Sequence, residues 1–198
     1  YCSTDMKEAT LKALDLCQKY GIKLIPSLVT GWMSSRLMVP PALEGRNVIT
    51  DPEAIKWEVR YVRRLVRDLK DHPAIAAWDL GNECNCMGSS LTPGESWQWL
   101  YCISSAIRLE DPERPVVAGM HGQQTFPQAN WNLQTQGELL DILTPHPYTG
   151  LCPEANKEPF NCLRNVNHNS AQCLMYKGIS GKPAFPEELG TLGPNIAS

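Results

Sequence analysis

Two glutamates stand where an apolar run gives way to polar residues. Glu83 closes Ala74-Ile75-Ala76-Ala77-Trp78-Asp79-Leu80-Gly81-Asn82-Glu83, and Glu188 lies in Phe185-Pro186-Glu187-Glu188-Leu189-Gly190. A pair of carboxyls can divide labour. One keeps a proton for a leaving oxygen, and the other, ionised, attacks or activates water. Cleavage of a glycosidic bond needs that division. The two residues are 105 positions apart, so only a fold that brings strand ends back to one place can pair them. A lone glutamate at a strand end commonly caps the next helix or pairs with Lys or Arg. Two in such settings call for a shared explanation.

The elements that would position them alternate. Residues from Thr4-Asp5 to Tyr20-Gly21 read as an amphipathic helix with Met6, Ala9, Leu11, Ala13, Leu14, Leu16 and Cys17 on its apolar side, closed by a glycine. Ile22 to Val29 is a short apolar strand running into Thr30-Gly31-Trp32 and a long loop over 33–50. Asp51-Pro52 starts a helix to about Asp71, with Pro at its first position. The Glu83 run is the next strand. A helix over 94–109, a strand over Arg114–Met120, a mixed loop over 122–138 and a strand over Leu140–Tyr148 follow. An irregular loop over 149–166, a helix over 168–179 and a last strand over Lys182–Gly190 complete the pattern.

Alternating helices and near-continuous apolar strands imply a parallel sheet covered by helices, in the α/β class. No glycine-rich phosphate loop follows a strand, which disfavours a nucleotide-binding doubly wound sheet. Polar residues gather at the strand ends instead: Trp32, Asn82, Glu83, His121, His146, Tyr148 and Glu188. In a (β/α)8 TIM barrel those ends form one mouth. Five strands fit strands 3 to 7 of such a barrel. The expectation is therefore one catalytic barrel domain over residues 1–198, cut short at both ends.

Hydrophobic residues make up 42% and charged residues 20% of the chain, at a net charge of −3. That composition is globular and argues against a nucleic-acid partner. The basic run Arg60–Lys70 alternates with apolar residues and reads as a solvated helix face. No apolar run approaches a membrane span. Eight irregularly spaced cysteines read mostly as the reduced thiols of a cytoplasmic protein, with Cys152 and Cys162 able to pair in an oxidising compartment. The chain opens on Tyr1 rather than Met, so secretion stays open as well.

"WDLGNE" at Trp78–Glu83, "HPY" at His146–Tyr148 and "KPAFPEELG" at Lys182–Gly190 resemble, in order and spacing, the strand signatures of clan A glycoside hydrolases. The flavour is that of family 5, which holds cellulases, β-mannanases and β-mannosidases. The resemblance implies a retaining double displacement on a β-linked oligosaccharide or glycan, with no cofactor. Glu83 matches the general acid/base and Glu188, two before Gly190, the nucleophile. Glu187 is adjacent, but alternation along a strand lets only one of the two point inward, and the E-x-G phase selects Glu188. Asn82 would bond the sugar's 2-hydroxyl, Tyr148 would donate to the nucleophile, and His146 would line the same wall. A carboxyl separation of about 5–5.5 Å is expected for retention. The leaning is towards β-mannosides over β-glucosides, and long loops favour short or terminal substrates. The glycone, exo or endo action and the oligomeric state are not fixed by the sequence.

Other residues carry competing readings. Trp32 suits a sugar-stacking platform or the core, His121 a sugar contact or a turn cap, and Trp131, in Asn130-Trp131-Asn132, a further stacking surface. Cys84-Asn85-Cys86, with His121, His146 and Asp79, raises zinc. No second cysteine pair at zinc spacing accompanies it, so no metal is expected. Two rival readings stand beside the hydrolase: a carbohydrate-binding or inactive barrel fragment, and a metal-dependent barrel hydrolase. The paired prolines Pro183 and Pro186 leave the backbone of the last strand open.

Overall fold

The structure is a computed structural model that describes residues 4–89, 92–122, 128–149 and 162–190. In chain order its elements are α1 (Thr4–Lys19), β1 (Ser27–Val29), β2 (Trp32–Met33), β3 (Arg36–Leu37), α2 (Pro52–Leu69), β4 (Trp78–Gly81), α3 (Pro93–Glu110), β5 (Val116–Val117), β6 (Gly119–His121), α4 (Leu133–Leu139), β7 (Thr144–His146) and α5 (Leu163–Ser180). Each main strand pairs in parallel with the next one along the chain. β1 pairs with β4, β4 with β5, and β6 with β7. Parallel bridges Leu24–Ile75 and Leu143–Ala184 extend the ladder at both ends. Only Ala118 separates β5 from β6, so the two act as one interrupted strand. Among the described residues the strand order never reverses, as it would at the switch point of a doubly wound sheet. This is a five-strand arc of a (β/α)8 barrel.

Local chemistry explains the helices. Asp51 caps α2 by accepting from the Glu53 and Ala54 amides at 2.8 and 3.2 Å, with Pro52 at the first position. Thr92 caps α3: its hydroxyl oxygen accepts from the Glu95 amide at 3.3 Å and its O–H donates to the Glu95 carboxylate at 3.1 Å. α1 ends in a Schellman motif. Gly21 is left-handed at φ +68, and the Ile22 and Gly21 amides return to Cys17 and Gln18 carbonyls. The buried core joins Val62, Val66 and Leu69 of α2 to Trp99, Ile103 and Ile107 of α3, over Trp78 and Leu80 of β4. The basic run on α2 is solvent-facing, and its Arg63 and Arg67 clasp Glu110 at 2.8 and 2.7 Å.

Four expectations change. The apolar side of α1 is two stripes: Leu11, Leu14 and Cys17 face the core, while Met6, Ala9, Ala13 and Leu16 are exposed. The loop over 33–50 contains the antiparallel hairpin β2–β3 and a 3-10 turn at Pro41–Leu43. The last helix starts at Leu163, five residues earlier than its periodicity indicated. The last strand is reduced to one bridge at Ala184. The Phe185 and Glu187 amides bond the Leu143 and Pro145 carbonyls, but Pro183 and Pro186 have no N–H to continue the ladder. No helix among the described residues is long and apolar enough to cross a membrane. The described cysteines, Cys162 included, are free thiols; Cys152 lies outside the described residues.

One buried acid of the helical layer makes a stability prediction. Glu58 on α2 accepts from Trp99 Nε1 at 2.9 Å and is 7% exposed. Burial pushes its carboxyl up to about 7, against the opposing pull of the Trp99 bond. A raised acid stabilises the fold fully only below its unfolded value, and that contribution is lost as pH rises through about 7. Glu58→Gln keeps an oxygen for Trp99 and removes the titration. The variant is expected to match wild type near pH 4.5 and to exceed it above pH 8 by about 2 kcal/mol, read as melting temperature against pH. Parallel curves for the two proteins would contradict this.

Candidate active site

The end of β4 is built to throw a side chain into the mouth of the barrel. A Cβ on Gly81 would run into the Val29 carbonyl, so only glycine lets the two strands pass this closely. Two residues on, Glu83 sits at φ 48, ψ 54, a left-handed conformation that costs a non-glycine residue about 1–2 kcal/mol. The turn is held from several sides. The Cys86 amide bonds the Glu83 carbonyl at 2.7 Å. Asn85 exchanges bonds with the His121 backbone: its Nδ2 donates to the carbonyl at 2.8 Å, and its Oδ1 accepts from the amide at 2.9 Å. Asn85 was not among the expected site residues. Its position two after an active-site glutamate was the available signal.

The side chains converge. Glu83 Oε1 lies 2.9 Å from His121 Nδ1 and 3.3 Å from His146 Nδ1. The same His146 nitrogen is 3.5 Å from Glu188 Oε2. The Tyr148 hydroxyl donates to that oxygen at 3.0 Å. Gly190 makes room for the Tyr148 ring, since a Cβ there would meet Cε1 at 3.0 Å, which gives the E-x-G spacing a packing cause. One oxygen of Glu83 and one of Glu188 lie within 4.8 Å of each other.

A cleft of about 510 Å³ opens above this cluster. Trp32, Asn82, Glu83, His121, Tyr148 and Glu188 all line it, with Met33, Ser34, Ser35 and Cys86 at the hairpin side. Trp32 therefore faces the cleft while its inner edge rests on the core. Asn82 donates one of its two N–H groups to the Trp32 carbonyl at 2.7 Å, which fixes its side chain beside Glu83. His146 meets Glu83 as expected, but at 1% exposure it is the floor beneath the two glutamates rather than part of the wall. Trp131 is not a stacking surface, because it is buried edge-on against Trp99 at 5.9 Å.

The alternation argument for Glu187 and Glu188 fails. Both turn inward, because the chain bends at these two residues instead of staying extended. Glu188 rises into the cleft at 38% exposure. Glu187 tucks one layer lower, its Oε2 3.8 Å from His146 Nε2. Gly119 of β6 makes that layer possible, since a Cβ would lie 2.9 Å from His146 Nε2 and 3.1 Å from Glu187 Oε2. Asp79 of β4 completes it. It accepts from the Gly81 and Gly119 amides and from the Ser27 hydroxyl.

Charge follows this layering. Burial, and next the charge of Glu187, push Asp79 up to about 8. Burial pulls His146 down, but Glu187, Glu188 and Glu83 outweigh it and hold the imidazole above its ordinary value. Burial raises the Tyr148 phenol, and its bond to Glu188 raises it further, so it stays a donor. The thiols do not form a metal site. Cys84 is fully buried with Sγ on the Gly81 carbonyl at 3.1 Å, and burial pushes it well above the ordinary thiol range. Burial likewise pushes Cys86 up to about 11. Glu83, His146 and Glu188 are compact enough to admit a cation. Yet Glu83 is bonded by His121 and Glu188 by Tyr148, so the cluster reads as acid–base machinery.

Comparison with known proteins finds relatives for the chain and its fold. A family model described as "Glycosyl hydrolases family 2, TIM barrel domain" matches residues 9–135. Mannan endo-1,4-β-mannosidase A of Podospora anserina is 31% identical over 184 residues, 86% of this chain and 47% of that protein. The structure of exo-β-1,4-mannosidase Op5Man5 from Opitutaceae bacterium strain TAV5 is 28% identical with a TM-score of 0.80, over 96% of this chain and 36% of that one. A GH5_18 structure from Streptomyces cattleya in complex with Manβ1-4GlcNAc overlays with a TM-score of 0.90 at 17% identity, over 99% of this chain and 51% of that one. The chain thus spans less than half the length of the curated relatives it matches. The family 2 match ends before His146, Tyr148 and Glu188, whereas the GH5_18 overlay covers nearly the whole chain.

Proposed function

The chain belongs to the family described as glycosyl hydrolases family 2, TIM barrel domain, and is a clan A glycoside hydrolase most like family 5; from that premise we propose that it hydrolyses β-mannosides with retention of configuration. One observation carries the reading. Glu83 and Glu188 bring carboxylate oxygens within 4.8 Å of each other at one cleft. That spacing supports a retaining pair at about 5–5.5 Å and leaves no room for the water an inverting pair holds across about 6.5–9.5 Å. The relatives support the glycone, since mannoside cleavage or a mannose-containing glycan appears in the names of all three.

In the proposed reaction Glu188 attacks the anomeric carbon while Glu83 gives its proton to the leaving oxygen. A covalent glycosyl ester on Glu188 results. Glu83, now ionised, takes a proton from water as that water displaces Glu188. Tyr148 holds the attacking oxygen of Glu188 in line. Asn82 receives the sugar's 2-hydroxyl, a contact that tightens as the ring flattens towards an oxocarbenium ion. Trp32 gives the ring a face to stack on. The test is a panel of aryl β-mannoside, β-glucoside and β-galactoside with the full chain, the first-formed anomer being followed by NMR. β-Mannoside should be cleaved fastest, with β-mannose appearing before mutarotation and no loss on adding a chelator. An α-anomer as first product, or no hydrolysis of any member of the panel, would refute the reading.

A further inference from the structure

The mechanism above leaves Glu187 unused, although it is aimed at His146, which faces both working glutamates. His146 Nδ1 faces Glu83 at 3.3 Å and Glu188 at 3.5 Å, and its Nε2 faces Glu187 at 3.8 Å. His146 Nε2 and Glu187 Oε2 are both buried with no hydrogen-bond partner among the described residues. At 3.8 Å they are too far apart for a formed bond, and each is the group the other lacks. Gly119 keeps the space between them clear.

We propose that Glu187 is a positioning residue that keeps His146 protonated on both ring nitrogens, so that one Nδ1–H always faces the Glu83–Glu188 pair. The proposal rests on the reading of that pair as acid/base and nucleophile. In that reaction the pair carries a single negative charge throughout, on Glu188 before attack and on Glu83 once the glycosyl ester has formed. An N–H lying within 0.2 Å of equidistant from the two can follow that charge without either side chain moving. A neutral imidazole could not do so reliably: its only proton would be drawn to Glu187, leaving a lone pair facing the carboxylates.

The titratable groups around His146 are consistent with this. Asp79 and Glu83 come from β4 and its turn, His121 from β6, Tyr148 from its own strand end, and Glu187 and Glu188 from the last strand. Asp79 lies in the deepest position, where burial and the charge of Glu187 favour its neutral form against the opposing pull of its three donors, two backbone amides and the Ser27 hydroxyl. Glu187 Oε2 has no such donors among the described residues, and His146 Nε2 is the group that faces it.

The experiment uses histidine-selective ¹⁵N labelling of the full chain, with His146 assigned by the resonance lost in His146→Asn. At pH 7 the wild type should show two protonated nitrogens. Glu187→Gln should lower the His146 midpoint by about one pH unit or more, since a neighbouring charge is removed. In the hydrolysis profile the alkaline limb of kcat/KM should move down by a similar amount, with activity near wild type at pH 5 and about tenfold lower at pH 8. A merely structural role would lower activity equally at every pH. A neutral His146 in the wild type at pH 7, or an unmoved midpoint in Glu187→Gln, overturns the proposal. The wild-type spectrum alone decides the first of these, even if the variant does not fold. Absence of hydrolysis by the wild type would instead overturn the functional reading, while the titration still tests Glu187.

Discussion

Glu188→Ala should abolish hydrolysis of aryl β-mannosides by about a millionfold in kcat, the loss found when a nucleophile is removed from an otherwise intact site. The geometry says why little would remain. Glu188 is the carboxylate that both lines the cleft and receives the Tyr148 hydroxyl, so its removal leaves the reacting face of the sugar with no attacking oxygen. Glu187 cannot substitute, because it is directed below the floor towards His146 and Asp79. Alanine opens a space that azide can enter from the same face. With a good aryl leaving group, azide should restore turnover and release α-mannosyl azide, inverted because a single displacement replaces two. If Glu187→Ala were the variant rescued with inversion, the assignment of the nucleophile would have to pass to Glu187.

The barrel and the site were legible to different depths. The order of strands and helices was visible because each strand is a short apolar run that ends abruptly: Trp78 and Leu80 are buried, and Asn82 is already at the cleft. The convergence of Glu83 and Glu188 followed from that order, since a barrel gathers its C-terminal strand ends at one mouth. What failed was reasoning that assumed regular geometry. Alternation was applied to Glu187 and Glu188, but Pro183 and Pro186 cut the last strand to one bridge and the chain bends at the glutamates. Periodicity merged two stripes of α1 into one, because residues three and four apart share a face and the apolar residues together span an arc wider than the part that meets the core. Trp131 looked solvent-facing because of its polar neighbours; the neighbours are real, but Asn132 spends its side chain capping α4 and the ring turns in against Trp99. The left-handed Glu83 had no sequence signal at all. Glycine normally marks such a backbone, and here the nearest glycine, Gly81, serves the packing of β4 on β1 instead.

Glu83→Ala should separate the two steps of the reaction by leaving-group chemistry. A dinitrophenyl mannoside departs without protonation, so its first step needs only Glu188. Its kcat/KM should remain close to wild type. The second step still needs a base to activate water, so the glycosyl ester should accumulate. That gives a burst of one equivalent of phenol, a kcat lower by about 10²–10⁴ and a KM lower in proportion. A mannobioside has a poor leaving group and depends on the proton in the first step, so its kcat/KM should fall by about 10²–10⁴. The position of Glu83 explains the division. It is 12% exposed, against 38% for Glu188, and is held on one side by His121 at 2.9 Å. In the proposed reaction it is the side chain from which the leaving oxygen takes its proton and to which the water gives one up. Azide added to this variant should speed release of the ester and give β-mannosyl azide, the anomer opposite to that from Glu188→Ala, because here azide replaces the water of the second displacement. Equal losses on dinitrophenyl and mannobioside substrates would mean that Glu83 moves no proton. The pair would then have to be reassigned, with His121, which lines the cleft and meets Glu83 at 2.9 Å, as the next donor to test.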